Sequence, residues 1–176
     1  DLDIEFMDDY HYKKTTTYSN YKNGEVKNPY DRTVCGVAYL GVGNYKTRED
    51  KARNTHEYII WRGIIVRCYS EYYKEKYPSY FNKITVCNEW LNFQNFARWY
   101  NEHKYQCDGR LHIDKDILHP ESKEYAPENC LLIPQRINML FVSHINKYGL
   151  PSGISKTKTG RYQANCGNYR LGTYDT

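Results

Sequence analysis

A chain of 176 residues has room for one mid-sized domain or two small ones, and its formal net charge of +4 makes it mildly basic, which suits a nucleic-acid partner. No stretch approaches the roughly 20 apolar residues of a membrane helix, and the start, DLDIEFMDD, is acidic with no apolar core of a secretion signal, so the expectation is a non-membrane protein without a leader. The six cysteines include no CxxC pair, which excludes the spacing of zinc ribbons and fingers and predicts reduced, mostly buried thiols. The missing initiating Met suggests a piece of a longer chain. The 20 tyrosines are expected mostly as half-buried packing with the hydroxyl in water, although tyrosine also hydrogen-bonds phosphates and stacks on bases.

Residues 1–54 read as a β-rich, irregular region. Tyr and Thr alternate loosely there, and Asn23-Gly24 is a hairpin-type turn. Gly36, Gly41 and Gly43 mark turns. GVGNYK lacks the Gly-Lys-Ser/Thr ending of a phosphate loop. Residues 55–148 begin with a helix, THEYIIWRGIIVRCYS. Thr55 is its expected N-cap, and Tyr58, Trp61, Ile64, Ile65 and Cys68 form one apolar stripe. KITVC follows as a short strand. NEWLNFQNFARWYNEH reads as a second helix, capped by Asn88, with Trp90, Phe93, Ala97 and Tyr100 inward.

In LHIDKDIL the period-two alternation puts Leu111, Ile113, Lys115 and Ile117 on one face and His112, Asp114 and Asp116 on the other. A strand with an imidazole and two carboxylates on one side is either solvated there or lines a site. A Pro- and Glu-rich turn comes next. CLLI is a buried strand, Pro134 suits the first turn of a helix, and QRINMLFVSHIN places Ile137, Leu140, Phe141, His144 and Ile145 on a stripe with Asn138 beside it. Residues 149–176 contain strands, tight turns and basic residues.

The run His112-Ile113-Asp114, then Pro127-Glu128-Asn129-Cys130, then Asn138 nine residues after Asn129, resembles the HNH endonuclease superfamily. The spacing of Trp and Cys before it is similar to phage-encoded relatives, so the resemblance covers residues 56–151. It implies a ββα-metal core gripping one divalent ion, Mg²⁺ or another. It implies His112 as general base, Asn129 as the residue that orients the loop, and Asp114 and Asn138 as metal ligands. Asp-Lys-Asp also fits a variant register in which Asp114-Lys115 stands where the family has Asp-His. There His112 is incidental and Asp114 or Asp116 helps to activate water, because a lysine of ordinary pKa about 10.4 is a poor base at neutral pH. GISKTKTGRYQA with LGTYDT is similar to the start of the Apetala-type DNA-binding domain, which implies a three-stranded sheet on DNA, with the supporting helix expected beyond residue 176. Lys156, Lys158, Arg161, Tyr162 and Arg170 are its candidate DNA contacts, joined by Lys115 and Arg136 near the core.

The resulting expectation is an α+β protein: a β-rich N-terminal region, two helices leading into an HNH-like ββα core, and a small C-terminal β-sheet. Its function is that of a phage or mobile-element homing-type endonuclease hydrolysing double-stranded DNA in a host cytoplasm. The alternative is a catalytically degenerate DNA- or protein-binding module, such as an inhibitor acting on a host protein or protein–nucleic acid complex.

Overall fold

The structure, a computed structural model, describes residues 1–140 and 149–175, with Leu140 given by its backbone alone. Phe141, His144 and Ile145 of the expected last helix lie outside the described residues. The chain divides into two compact units, Asp1–Ile133 and Pro134–Thr176.

In the first unit, β1 (Leu2–Glu5) and β2 (Lys13–Thr16) pair antiparallel, Leu2 opposite Thr16 and Glu5 opposite Lys13. A short helix follows, α1 (Tyr18–Lys22), capped by the Thr17 hydroxyl, which accepts from Asn20 N. Asn23-Gly24, expected as a hairpin turn, instead ends this helix. Asn23 N–H donates to Ser19 O, and Gly24 has φ 69°, the left-handed conformation that a helix commonly takes just past its end. Tyr10 stacks on Tyr30 at 3.9 Å between ring centroids, and the Tyr10 and Tyr39 hydroxyls are hydrogen-bonded at 2.8 Å.

α2 (His56–Tyr69) buries Trp61, Ile64, Ile65 and Cys68, the stripe that the periodicity predicts. Thr55 precedes it in extended conformation, but its hydroxyl donates to Lys46 O instead of capping the helix. β3 (Thr85–Val86) comes next. The helix expected from Asn88 is broken. Asn88–Leu91 is a 3₁₀ turn, and α3 (Phe93–His103) starts after Asn92, whose side chain accepts from Gln94 N at 3.0 Å. The break has a tertiary cause: Tyr39 N donates to Leu91 O and Phe93 N donates to Tyr39 O, so Asn92 is held extended by a backbone bridge from a distant segment. Gly41 (φ 70°) permits this approach, since a Cβ there would collide with the Asn92 side-chain amide.

α2 and α3 share one aromatic core. Trp61 donates its indole N–H to Trp90 O at 2.7 Å, and the rings of Trp90 and Trp99 lie 4.7 Å apart. Phe93, Phe96, Ala97, Trp99 and Tyr100 are buried on α3. The remaining walls come from β4 (Leu111–Asp114), β5 (Glu124–Tyr125) and β6 (Leu131–Pro134), through Leu111, Ile113, Tyr125 and Leu132. β4 and β6 form a two-stranded sheet, and β3 pairs parallel with β5. β5 lies within the segment expected as a plain turn.

Pro134 closes β6 and is followed directly by α4, described over Gln135–Leu140, so it precedes the helix by one residue where the sequence places it inside the first turn. In the second unit β7 (Ile154–Lys156), β8 (Tyr162–Cys166) and β9 (Tyr169–Tyr174) make the expected three-stranded antiparallel sheet, with an irregularity at Ala164/Asn165. The fold is thus mixed α+β. Among the described residues no helix is long and apolar enough to cross a membrane.

Candidate functional site

On β4 the alternation holds: Leu111 and Ile113 are buried, while His112 and Asp114 are half-buried on the other face. One Asp114 carboxylate oxygen, Oδ1, accepts from the backbone N–H groups of Asp116 (2.9 Å) and Ile117 (2.8 Å). This is the turn-forming habit of aspartate, and it fixes the side chain at the strand's end. Asp116 is exposed and paired through Oδ1 with the Lys115 ammonium.

Lys115 follows the buried side of the alternation, and its side chain is only 6% exposed. Besides Asp116, its Nζ donates to Ser122 O at 3.0 Å, so it ties the start of the β4–β5 connection to its far end. The ammonium of Lys115, expected from sequence to meet DNA, is held inside the loop by these two hydrogen bonds.

Asn129 sits just before β6. Its Nδ2 donates to Glu124 O at 3.2 Å and its backbone N–H to Ala126 O, so it closes the turn between β5 and β6. Cys130, next in sequence, is buried; burial pushes its thiol up to about 12, and the nearby Asp114 carboxylate acts in the same direction. The structure thus brings His112, Asp114, Lys115, Asp116 and Asn129 to one pair of strands and its connection. Asn138 is half-buried and Arg136 exposed on α4, which belongs to the second unit.

A second polar pair stands near β4, and no sequence motif points to it. His56, in the first turn of α2, shares a hydrogen bond with the Tyr100 hydroxyl at 2.8 Å. Burial, then the charges of Arg110 and His112, hold the His56 imidazole below its ordinary pKa, and burial pushes Tyr100 up to about 12. The two residues are 44 positions apart, so no local spacing signals the pair.

In the C-terminal sheet, directly opposed residues share a face. Lys156 opposes Tyr162, with its ammonium 5.8 Å from the ring centroid. On the other face lie Ser155, Gln163 and Thr173, joined beyond the irregularity by Asn165 and Arg170. There Arg170 Nη2 donates to Thr173 Oγ1 at 2.7 Å and Gln163 Nε2 to Asn165 Oδ1 at 3.1 Å. Lys156 and Tyr162 are therefore on the opposite face from Arg170. Lys158 is exposed in the β7–β8 turn, and Arg161 pairs with Asp175 at 2.7 Å. Gln163 and Asn165 are not among the residues expected from sequence; their alternation with Ala164 in QAN is the signal that would have found them.

For a divalent ion the first unit offers oxygen chemistry. Asp114 has a second carboxylate oxygen beyond the one committed to the turn, and a hard oxygen donor of this kind suits Mg²⁺, which keeps several waters and needs few protein ligands. Among the described residues no group of three His, Cys, Asp or Glu side chains converges as a metal cage. The second Asp114 oxygen would suit an ion that keeps most of its water ligands.

No family model, curated protein or solved structure matches this chain.

Proposed function

We propose that this chain is a metal-dependent DNA endonuclease of HNH type that hydrolyses phosphodiesters of double-stranded DNA. The observation that carries the reading is the polar face of β4, where His112 and Asp114 stand half-buried opposite the buried Leu111 and Ile113. His112 is the group that takes a proton from the attacking water. Asp114, through its second oxygen, would hold Mg²⁺ or a similar ion, which when bound neutralises charge on the phosphate, and the HNH resemblance implies Asn138 as a further ligand. Asn129 orients the β5–β6 turn. In the Asp-Lys register Asp114 or Asp116 takes the role of base, since the Lys115 ammonium is engaged on the inner side of the loop. The C-terminal sheet supplies duplex binding: amide and guanidinium groups from Gln163, Asn165 and Arg170 can reach base edges, and exposed lysines can meet phosphates.

The test is nicking of supercoiled plasmid in Mg²⁺ or Mn²⁺ by the chain, His112→Ala and Asn138→Ala. The expected result is nicking that each substitution reduces by at least roughly 100-fold. Nicking that survives His112→Ala removes His112 as base. Absence of nicking with any metal favours the second reading, a DNA- or protein-binding module of phage origin. The specific support for that reading is a lysine, buried and ion-paired, where the family has its histidine.

A further inference from the structure

The outward side of α2 forms a cleft of about 270 Å³ with the segment that follows the helix. Arg62 and Arg67 from the helix and Lys76 from the following segment line it, together with Tyr73 and Tyr77. Among the described residues no carboxylate lines this cleft, and none of the three cations is in an ion pair. Three like charges around one small space repel one another unless an anion joins them, and on a folded surface an uncompensated convergence of this kind attracts polyanions.

Two further observations give the site its character. Arg67 is partly built into the fold: its Nη2 donates to the Tyr125 hydroxyl at 3.3 Å, and its guanidinium stands over the rings of Tyr80 and Tyr125 at 5.7 and 5.8 Å. Its Nε, however, is buried without a hydrogen-bond partner among the described residues. A buried guanidinium N–H without an acceptor is costly, so Arg67 is a cation whose hydrogen bonding is incomplete. The aromatic component is the second. Lys76 lies over both Tyr73 and Tyr77, at 5.9 and 5.4 Å, and Tyr72, 86% exposed, packs edge-on against Tyr73 at 4.7 Å. Cations interleaved with exposed rings are the means by which proteins hold unpaired nucleic acid: the cations follow the backbone and the rings take the bases, whose faces are hidden in a duplex.

We propose that this cleft binds single-stranded nucleic acid, with a backbone phosphate at Arg62, Arg67 and Lys76 and an adjacent base on the Tyr72–Tyr73 rings. The cleft's size, at the lower end of small-ligand sites, fits one nucleotide of a strand that continues across the surface. The proposal uses no residue of β4, β6, α4 or the C-terminal sheet, so it stands apart from the endonuclease reading.

The experiment measures anisotropy of a fluorescein-labelled 15-mer oligothymidylate and of a labelled duplex of equal length, titrated with the full chain over a range of salt. Its variants are Arg62→Glu/Lys76→Glu, Tyr73→Ala and, as a control, Lys22→Glu on the exposed α1. All the substituted side chains are exposed, and thermal unfolding confirms that each variant folds. The expected result is single-strand binding weakened at least tenfold by Arg62→Glu/Lys76→Glu, with a salt slope lower by about 0.7 for each phosphate no longer neutralised. Tyr73→Ala weakens it roughly 5-fold or more, and Lys22→Glu leaves it unchanged. Single-strand affinity within twofold of the parent in the double variant overturns the proposal. Equal loss for the duplex overturns the preference for unpaired strands. Competition by thymidine monophosphate at the same nucleotide concentration as the unlabelled strand overturns the polymer and assigns the cleft to a free nucleotide. Loss of plasmid nicking with strand binding intact overturns the endonuclease reading alone.

Discussion

Lys115 carries its charge on a side chain that is only 6% exposed, and its ammonium joins Asp116 to the Ser122 carbonyl. Removing the whole side chain leaves that carbonyl unmatched and empties a buried position. Lys115→Ala is expected to lower stability by about 1–3 kcal/mol in urea unfolding, and Lys115→Met, which keeps the stem, by less than half of that. Equal losses would mean that the ammonium contacts, not the stem, carry the effect. The face Lys115 occupies was legible from alternation. Its partner was not, because a carbonyl seven residues on meets the ammonium only once the connection has folded. The cysteines show the same division. Burial pushes Cys68 to about 11 and Cys130 to about 12, whereas Cys166 is exposed. Iodoacetamide at pH 8 should therefore alkylate Cys166 first and reach Cys68 and Cys130 only at the rate of unfolding, which mass mapping of the labelled thiols checks. His56 gives a pH dependence. Its folded pKa lies below the ordinary 6.5, from burial first and Arg110 next. The unfolded imidazole is the better proton acceptor, so the stability linked to neutral His56 is complete above pH 6.5 and is lost as pH falls through the folded value. His56→Gln should flatten the urea midpoint against pH below 6.5; an unchanged slope assigns that dependence to other groups.

At the level of elements, amphipathic stripes announced α2 and α3, and period two announced β4. What the sequence concealed was set by contacts far along the chain. The interruption at Asn92 depends on Tyr39, 53 positions earlier, bonding on both sides of it. β3 was legible in KITVC, but its partner β5, two residues within a segment that reads as a turn, was not, and neither was their parallel pairing. Asn92 serves both as helix cap and as the neighbour of Gly41. Asn92→Ala should cost about 1 kcal/mol through the lost cap, seen as a fall in Tm of about 2–4 °C. Gly41→Ala should cost more, because its backbone is left-handed and its Cβ meets the Asn92 amide. If Gly41→Ala is harmless in the Asn92→Ala background, the collision, not the φ angle, dominates.

For the molecule as a whole, the division at Ile133/Pro134 falls between the two strands and the helix that the HNH resemblance joins into one core. The sequence points to a later boundary, at 148/149, where Gly149 and Pro151 stand. The C-terminal sheet itself was legible, since its turns and alternation are local. Which face could meet DNA was not, because five basic or aromatic residues on a line give no register. Pairing now separates Lys156 from Arg170. A sheet that docks with one face should lose duplex affinity with one of Lys156→Ala and Arg170→Ala and not the other; loss with Arg170→Ala selects the Gln163–Asn165 face. Equal loss would show contact by the sheet's edge or by both faces.

The core of the first unit is assembled from both sides of the largely exposed run at residues 104–110: Trp61, Ile64, Phe93 and Phe96 come before it, Leu111, Ile113, Tyr125 and Leu132 after it. The β3–β5 ladder spans the same run. The covalent link there is therefore dispensable once folding is complete. A trypsin cut after Lys104 should leave two pieces that elute together on gel filtration and separate only in denaturant, and the same two pieces, made apart and mixed, should reconstitute one another.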